Sequence, residues 1–282
     1  METITEKLKA AETVLRGSGI AEPRREAMSL LMLAIEKDKT FIYARPEYEP
    51  SSDEAAAFDS FLKRRSNREP LQYISGTQEF YGLDFEVTPD VLIPRPETEM
   101  IVEHAIEILR ASGGGSLCDV GTGSGCIPIS ILHELTFVRG YGLDVSQVAL
   151  AVARRNAEKH NVGPRLELVK SDIFGALQNQ KFDLIVSNPP YIPADDISGL
   201  QAEVRDFEPL NALTDSADGL SIIRRIVNES PDFLSNRGHL LLEIGVNQSA
   251  KVAAMFDNAR WQSATMFADL QGIPRVVSGR LK

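Results

Sequence analysis

From Ser116 onward, short apolar runs alternate with longer stretches of helical spacing, and this alternation leaves very few architectures open to the chain. Leu117 to Val120, Val138 to Asp144, Leu166 to Lys170, Phe182 to Ser187 and Gly238 to Ile244 read as strands. Cys126 to Leu135, Gln147 to His160 and Ser221 to Asn228 carry helical spacing between them. Strands this uniformly apolar need cover on both faces, which a parallel sheet flanked by helices supplies. The expected fold is α/β and Rossmann-like, with a ligand bound beyond the carboxyl ends of the strands, where strand order reverses.

Residues 1–75 follow a different pattern. Leu8, Ala11 and Leu15, then Ala27, Leu30, Leu31, Ala34 and Ile35, recur at helical spacing. Pro46 and Pro50 mark a loop before a third helix expected from Asp53 to Arg65. Glu79 to Ile93, aromatic and β-branched around Gly82-Leu83-Asp84, reads as a hairpin. The expected division is a small all-helical domain over 1–75, a β-hairpin linker over 76–94 and the sheet domain over 95–282. Pro94-Arg95-Pro96 holds Arg95 extended and opens a helix with Glu97 and Glu99 in its first turn. Val102, Ala105, Ile106 and Leu109 form its apolar stripe.

Charge and composition exclude several classes. Residues 1–75 carry 12 Lys+Arg against 13 Asp+Glu, and the remainder 18 against 27, so the sheet domain is acidic and unsuited to non-specific nucleic-acid binding. The basic cluster Lys63-Arg64-Arg65 with Arg68 reads first as a solvated helix end. METITEKLKA mixes both charge signs and is no signal peptide, and the run Leu30 to Ile35 is too short to cross a bilayer. Cys118 and Cys126 lie inside apolar segments, and His104, His133, His160 and His239 are scattered. A cytoplasmic protein with no disulfide, no structural metal and no membrane contact is expected.

"CDVGTGSGC" places Gly121, Gly123 and Gly125 between a strand and a helix, with Thr122 and Ser124 interleaved. The spacing departs from a dinucleotide fingerprint, because Cys126 stands where its third glycine would be. It still lets the backbone approach a ligand closely and offers a helix start to a carboxylate. Asp144 ends the next strand, where an acid can accept from both ribose hydroxyls. Asp172 ends the following one, where it can accept from an adenine amine, with Ile173 and Phe174 packing on the ring. Each aspartate alone is as readily a cap or turn residue. In series they indicate an adenosine ligand bearing a carboxylate and no phosphates, S-adenosylmethionine.

The next strand ends in Asn188-Pro189-Pro190-Tyr191. Two prolines remove two N–H donors and fix two φ angles, so neither strand nor helix continues through them. The bland reading is a rigid turn. The chemical one is that an uncharged NH2 group needs two acceptors in its plane, and the Asn188 side-chain oxygen and Pro189 carbonyl provide them. Tyr191 offers a flat face to a planar amide or base. The four residues are the expected catalytic and substrate-binding set, with Asn188 also beside the cofactor, for methyl transfer to a planar nitrogen.

"LIPRPETE", "DVGTGSG", "GLDVS", "SDIF", "NPPYIP", "EPLNAL", "DGL" and "LLEIG", in this order, resemble the release factor glutamine methyltransferases, the PrmC/HemK family of class I methyltransferases. The resemblance implies methylation of the glutamine amide in the Gly-Gly-Gln motif of peptide-chain release factors, from S-adenosylmethionine to S-adenosylhomocysteine. It implies cofactor contacts at Gly121 to Gly125, Asp144, Ile173 and Asn188, and substrate contacts at Asn188 to Tyr191. Leu92 and Ile93 are candidates for the glutamine entrance, the helical domain for docking the protein partner. For Glu243, a part in the site and a local pairing stand equally open. The rival readings are glutamine methylation of a ribosomal protein and adenine methylation in DNA or RNA.

Overall fold

The computed structural model describes residues 2–257, 259–262 and 264–282. The chain divides into two compact units, one of residues up to Gly76 with Gln201–Phe207, the other of Thr77–Leu200 with Glu208–Lys282.

The first unit is helical: α1 (Ile4–Gly17), α2 (Pro23–Ile35), α3 (Lys39–Ala44), α4 (Ser52–Ser66) and α5 (Leu71–Ser75). Helices α1 and α4 each start with a capping box, Thr3 with Glu6 and Ser51 with Glu54, which satisfies backbone donors that the first turn leaves free. Ala11, Leu15, Leu30, Leu31 and Phe58 form its core. Helices α3 and α5 have six and five residues, too few for a periodicity to show in the sequence. Asp38 nevertheless caps α3 by accepting from the Phe41 N–H at 2.8 Å.

The basic cluster at the end of α4 is solvated only in part: Lys63 is exposed, whereas the arginines find acidic partners. Arg65 is 5% exposed and pairs with Glu26 and, at 3.0 Å, with Glu203, while Arg68 reaches the other Glu203 oxygen at 2.6 Å. Arg64 pairs with Glu69 at 2.5 Å. Glu203 belongs to α9 (Ala202–Phe207), so acids remote in sequence turn an apparently free charge run into an interior network. Breaking a buried pair strands its partners without water, which is far costlier than losing a surface pair. Arg65→Ala is expected to destabilise the protein by about 3–5 kcal/mol, read as a fall in the urea midpoint; an unchanged midpoint would place that network in solvent.

In the second unit, β1 (Thr77–Phe80) and β2 (Leu83–Glu86) form an antiparallel hairpin turning at Tyr81-Gly82, both with positive φ. The hairpin is shorter than expected, ending at Glu86, and its turn precedes Leu83. It is no spacer: Phe80 and Phe85 are buried in the core formed by α6 (Glu99–Ala111). Seven strands among the described residues make the main sheet: β3 (Ser116–Val120), β4 (Arg139–Asp144), β5 (Leu166–Lys170), β6 (Phe182–Ser187), β7 (Leu234–Glu243), β8 (Thr265–Ala268) and β9 (Pro274–Arg280). Their order is β5-β4-β3-β6-β7-β9-β8, parallel except where β9 pairs antiparallel with β7 and β8.

Alternate residues feed the two faces. Leu117, Leu184, Val186 and Leu241 pack with α6, α7 (Cys126–Glu134) and α8 (Gln147–Lys159). Cys118, Val120, Ile185, Leu240 and Leu242 pack with α11 (Ser221–Glu229), beyond the short α10 (Leu210–Leu213). The closing pair β8 and β9 is absent from the sequence expectation because Thr265–Ala268 is short and half exposed. Among the described residues no helix is long and apolar enough to cross a membrane.

Candidate active site

Strand β3 has β4 on one side and β6 on the other, so strand order reverses there, and a cavity opens at the carboxyl ends of these strands. Gly121 to Ser124, Asp144, Asp172, Ile173, Asn188, Pro189 and Pro190 all line it. Gly125 lies one residue further, at the start of α7, where a Cβ would come within 2.8 Å of Ile129 and 3.2 Å of Ala153; with φ at +81°, only glycine lets that helix pack so closely. By contrast, a Cβ on Gly121 or Gly123 would meet nothing within 4 Å. Those two leave room beside the backbone on the cavity side.

The Asp144 carboxylate organises this loop. It accepts from the Gly123 N–H at 2.9 Å and the Ser146 N–H at 2.8 Å, leaving each oxygen a further lone pair. Beneath the loop, Asp119 is fully buried, and neither of its oxygens has a hydrogen-bond partner among the described residues. The Thr122 hydroxyl stands near it, outside bonding geometry and likewise unpartnered. Burial, with Asp144 adding repulsion, pushes the Asp119 carboxyl up to about 7. Cys126 also lines the cavity, but burial pushes its thiol up to about 12, so it is no nucleophile at neutral pH.

The third strand end differs from expectation. The Asp172 carboxylate is held by the Arg225 guanidinium of α11 at 3.0 to 3.2 Å. Phe174 turns away from the cavity and stacks on Phe233, centroids 4.7 Å apart. Ile173 stays in the wall with φ at +49°, a left-handed conformation that a β-branched residue rarely adopts. The Ser171 hydroxyl fixes it, donating to the Ile173 carbonyl at 2.7 Å while accepting from the Ala176 N–H at 3.1 Å. Strain of roughly 1–3 kcal/mol is thus concentrated in one wall of the site.

At the tip of β6, Asn188 donates its side-chain NH2 to the Thr98 hydroxyl at 3.0 Å, and Thr98 donates to Glu243 at 2.7 Å. The assigned orientation leaves the Asn188 oxygen as the free end of the amide. Tyr191 does not line the cavity as expected: its hydroxyl donates to the other Glu243 oxygen at 3.2 Å and its ring packs against the second core. Burial, reinforced by Glu243, raises the Tyr191 phenol further above its ordinary value. Gln248 donates to the Tyr191 carbonyl at 2.9 Å. Glu243 therefore pairs locally, with Tyr191 and with Thr98 of the cavity wall.

Two further anchors escaped sequence reasoning. Buried Glu208 accepts from Arg95 at 2.5 Å and from the Ile93 N–H at 3.2 Å. Leu92 and Arg95 consequently line the cavity, whereas Ile93 turns inward. Gly219, with φ at +73°, lies against the tip: its Cβ would fall 2.2 Å from the Tyr191 carbonyl oxygen. Asp215 holds that loop by accepting from the Gly219 and Ser221 N–H groups at 2.9 and 2.7 Å. Thr98, Glu208 and Gly219 all sit in the quoted motifs, but only contacts distant in sequence reveal their tasks.

Two outcomes follow from these contacts. Gly219→Ala should cost about 1–3 kcal/mol in urea unfolding, because the clash is with backbone; wild-type stability would mean the loop is not pinned to the tip. For Asp119, the unfolded carboxyl ionises near 3.8 and the folded one at about 7, so its contribution to stability is full at low pH and is lost as pH rises between those values. Wild type should therefore lose stability relative to Asp119→Asn between pH 5 and 7, by up to roughly 1.4 kcal/mol per pH unit; parallel pH profiles would mean the carboxylate is solvated.

A family model described as PrmC N-terminal domain matches residues 6–76, and one described as Methyltransferase small domain matches residues 98–202. A release factor glutamine methyltransferase of Geobacter sulfurreducens is 43% identical over 279 residues, covering 99% of this chain and 97% of the relative. Another, of Cereibacter sphaeroides, is 41% identical over 276 residues and 97% of each chain. In fold, the chain is similar to a methyltransferase from Pyrococcus furiosus, with a TM-score of 0.54 and 21% identity over 72% of this chain and 90% of that one. Identity at this level along nearly the whole length places the chain in the release factor glutamine methyltransferase family.

Proposed function

We propose that the protein methylates the side-chain amide nitrogen of the glutamine in the Gly-Gly-Gln motif of peptide-chain release factors, in the cytoplasm, with S-adenosylmethionine as donor. The observation that carries this reading is the Asn188 amide, tied by its NH2 end to Thr98 and left with its oxygen free at the cavity. A glutamine NH2 has two hydrogens to place, and the Asn188 oxygen and the Pro189 carbonyl would accept them. Holding both hydrogens draws electron density onto a nitrogen whose lone pair is otherwise delocalised into its carbonyl, and fixes its direction of attack. Forming the N–C bond would break the S–CH3 bond, its electron pair staying on the sulfur of S-adenosylhomocysteine as the leaving group, while one N–H proton becomes acidic and passes through the accepting oxygen to water, so no strong base is required.

The cavity's residues fit the cofactor. When bound, S-adenosylmethionine supplies a methyl group on a sulfonium centre. Gly121 and Gly123 leave open space for close approach, and the spare lone pairs of Asp144 suit ribose hydroxyls. Thr122, which lines the cavity, would lie beside the charged end of the ligand, with Asp119 buried beneath the loop. Ile173 would cover the adenine, while Asp172 would have to share its carboxylate with Arg225. The helical unit is assigned the docking of the protein partner.

The test is peptide mapping of release factor after incubation with the enzyme and labelled S-adenosylmethionine. Label on the Gly-Gly-Gln glutamine is expected, and Asn188→Ala should reduce transfer at least 100-fold while cofactor affinity by calorimetry changes little. Label on oligonucleotides or ribosomal protein alone would overturn the reading.

A further inference from the structure

The productive orientation of Asn188 is not a property of Asn188 itself. The two ends of a side-chain amide are nearly isosteric, and rotation by half a turn exchanges the acceptor for a donor. In the proposed reaction the flipped amide would face a substrate NH2 with its own NH2, donor against donor. Something must therefore set the polarity of this side chain.

A buried chain of hydrogen bonds does so. Glu243, 2% exposed at the end of β7, accepts from Thr98 at 2.7 Å through one oxygen and from Tyr191 at 3.2 Å through the other. When Glu243 is ionised, Thr98 gives its single hydroxyl proton to that carboxylate. The Thr98 oxygen is left only to accept, and the group that reaches it is the Asn188 NH2 at 3.0 Å. We propose that Glu243 and Thr98 are positioning residues: Glu243 lies behind the cavity wall and Thr98 within it, and together they dictate, through this one-way chain, that Asn188 turns its oxygen to the cavity. The inference rests on the proposed glutamine methylation and deepens it.

Thr98 reaches Asn188 from 90 positions away in sequence and Glu243 reaches Thr98 from 145, so the chain exists only in the folded state. Thr98→Val keeps shape and a methyl group but has no hydroxyl, Thr98→Ser keeps the hydroxyl, and Glu243→Met keeps bulk without a carboxylate. Glu243→Met leaves the Thr98 and Tyr191 hydroxyls without their acceptor, so each variant is first shown to unfold cooperatively in urea, and Thr98→Val with Thr98→Ser carries the test if Glu243→Met does not fold.

With release factor and labelled S-adenosylmethionine, Thr98→Val and Glu243→Met are each expected to lower kcat at least tenfold, with cofactor affinity within about twofold of wild type. Thr98→Ser should recover most of kcat. A wild-type kcat in Thr98→Val or Glu243→Met, or an equal loss in Thr98→Ser and Thr98→Val, overturns the relay while leaving the methylation reading intact. If the wild-type protein labels no release factor, that reading fails, and the relay is decided by NMR. There the Asn188 side-chain NH2 signal, identified by its loss in Asn188→Ala, should exchange with water at least tenfold faster in Thr98→Val; unchanged exchange overturns it.

Discussion

A parallel sheet built outward from one strand must reverse direction somewhere, and in this chain the reversal beside β3 decides where every functional group goes. With β4 and β5 laid on one side and β6 and β7 on the other, the loops after β3 and β6 diverge to opposite faces and leave a crevice between them. The glycine loop, Asp144, Asp172 and Asn188-Pro189-Pro190 come from four strands, yet they open on one cavity because those strands are neighbours in the sheet. Without that order the same residues would be unrelated strand ends.

The crevice is held by polar anchors more than by packing. Glu243 takes hydrogen bonds from Thr98 and Tyr191, Glu208 from Arg95 and the Ile93 backbone, and Gln248 donates to the Tyr191 carbonyl. Buried carboxylates are costly unless satisfied, and here they are satisfied by the segments that must be positioned. Burial nevertheless pushes Glu243 up to about 7, like Asp119. Two acids buried close to the cavity, together with a left-handed isoleucine in its wall, put unfavourable features where ligand binding can offset their cost.

The helical unit applies the same principle to charge of the opposite sign. Arg65 is retained in the interior because Glu26, the Glu69 carbonyl and Glu203 surround it. Glu203 comes from Gln201–Phe207, a segment that leaves the sheet unit for seven residues, while Glu208, the next residue, is back among the cavity's supports. A single stretch of chain thus supplies acids to both units.

Period and punctuation were enough to determine the longer elements, though not α3, α5, β8 or β9. Leu166–Lys170 and Phe182–Ser187 stand as read, because an apolar run bounded by polar residues has one stable setting in a covered sheet. Gly121 and Asn188, which line the cavity, stood out in the sequence because glycine at a strand end and an amide before two prolines have few other uses. What tertiary structure alone decided is the direction of side chains and the partners they find. Tyr191 met Glu243, Asp172 met Arg225, Phe174 met Phe233, and Arg65 of α4 was drawn inside. Local sequence sets the backbone's course through short-range sterics, but a hydrogen bond or ion pair depends on groups dozens of positions away, and only the closed fold brings them within 3 Å.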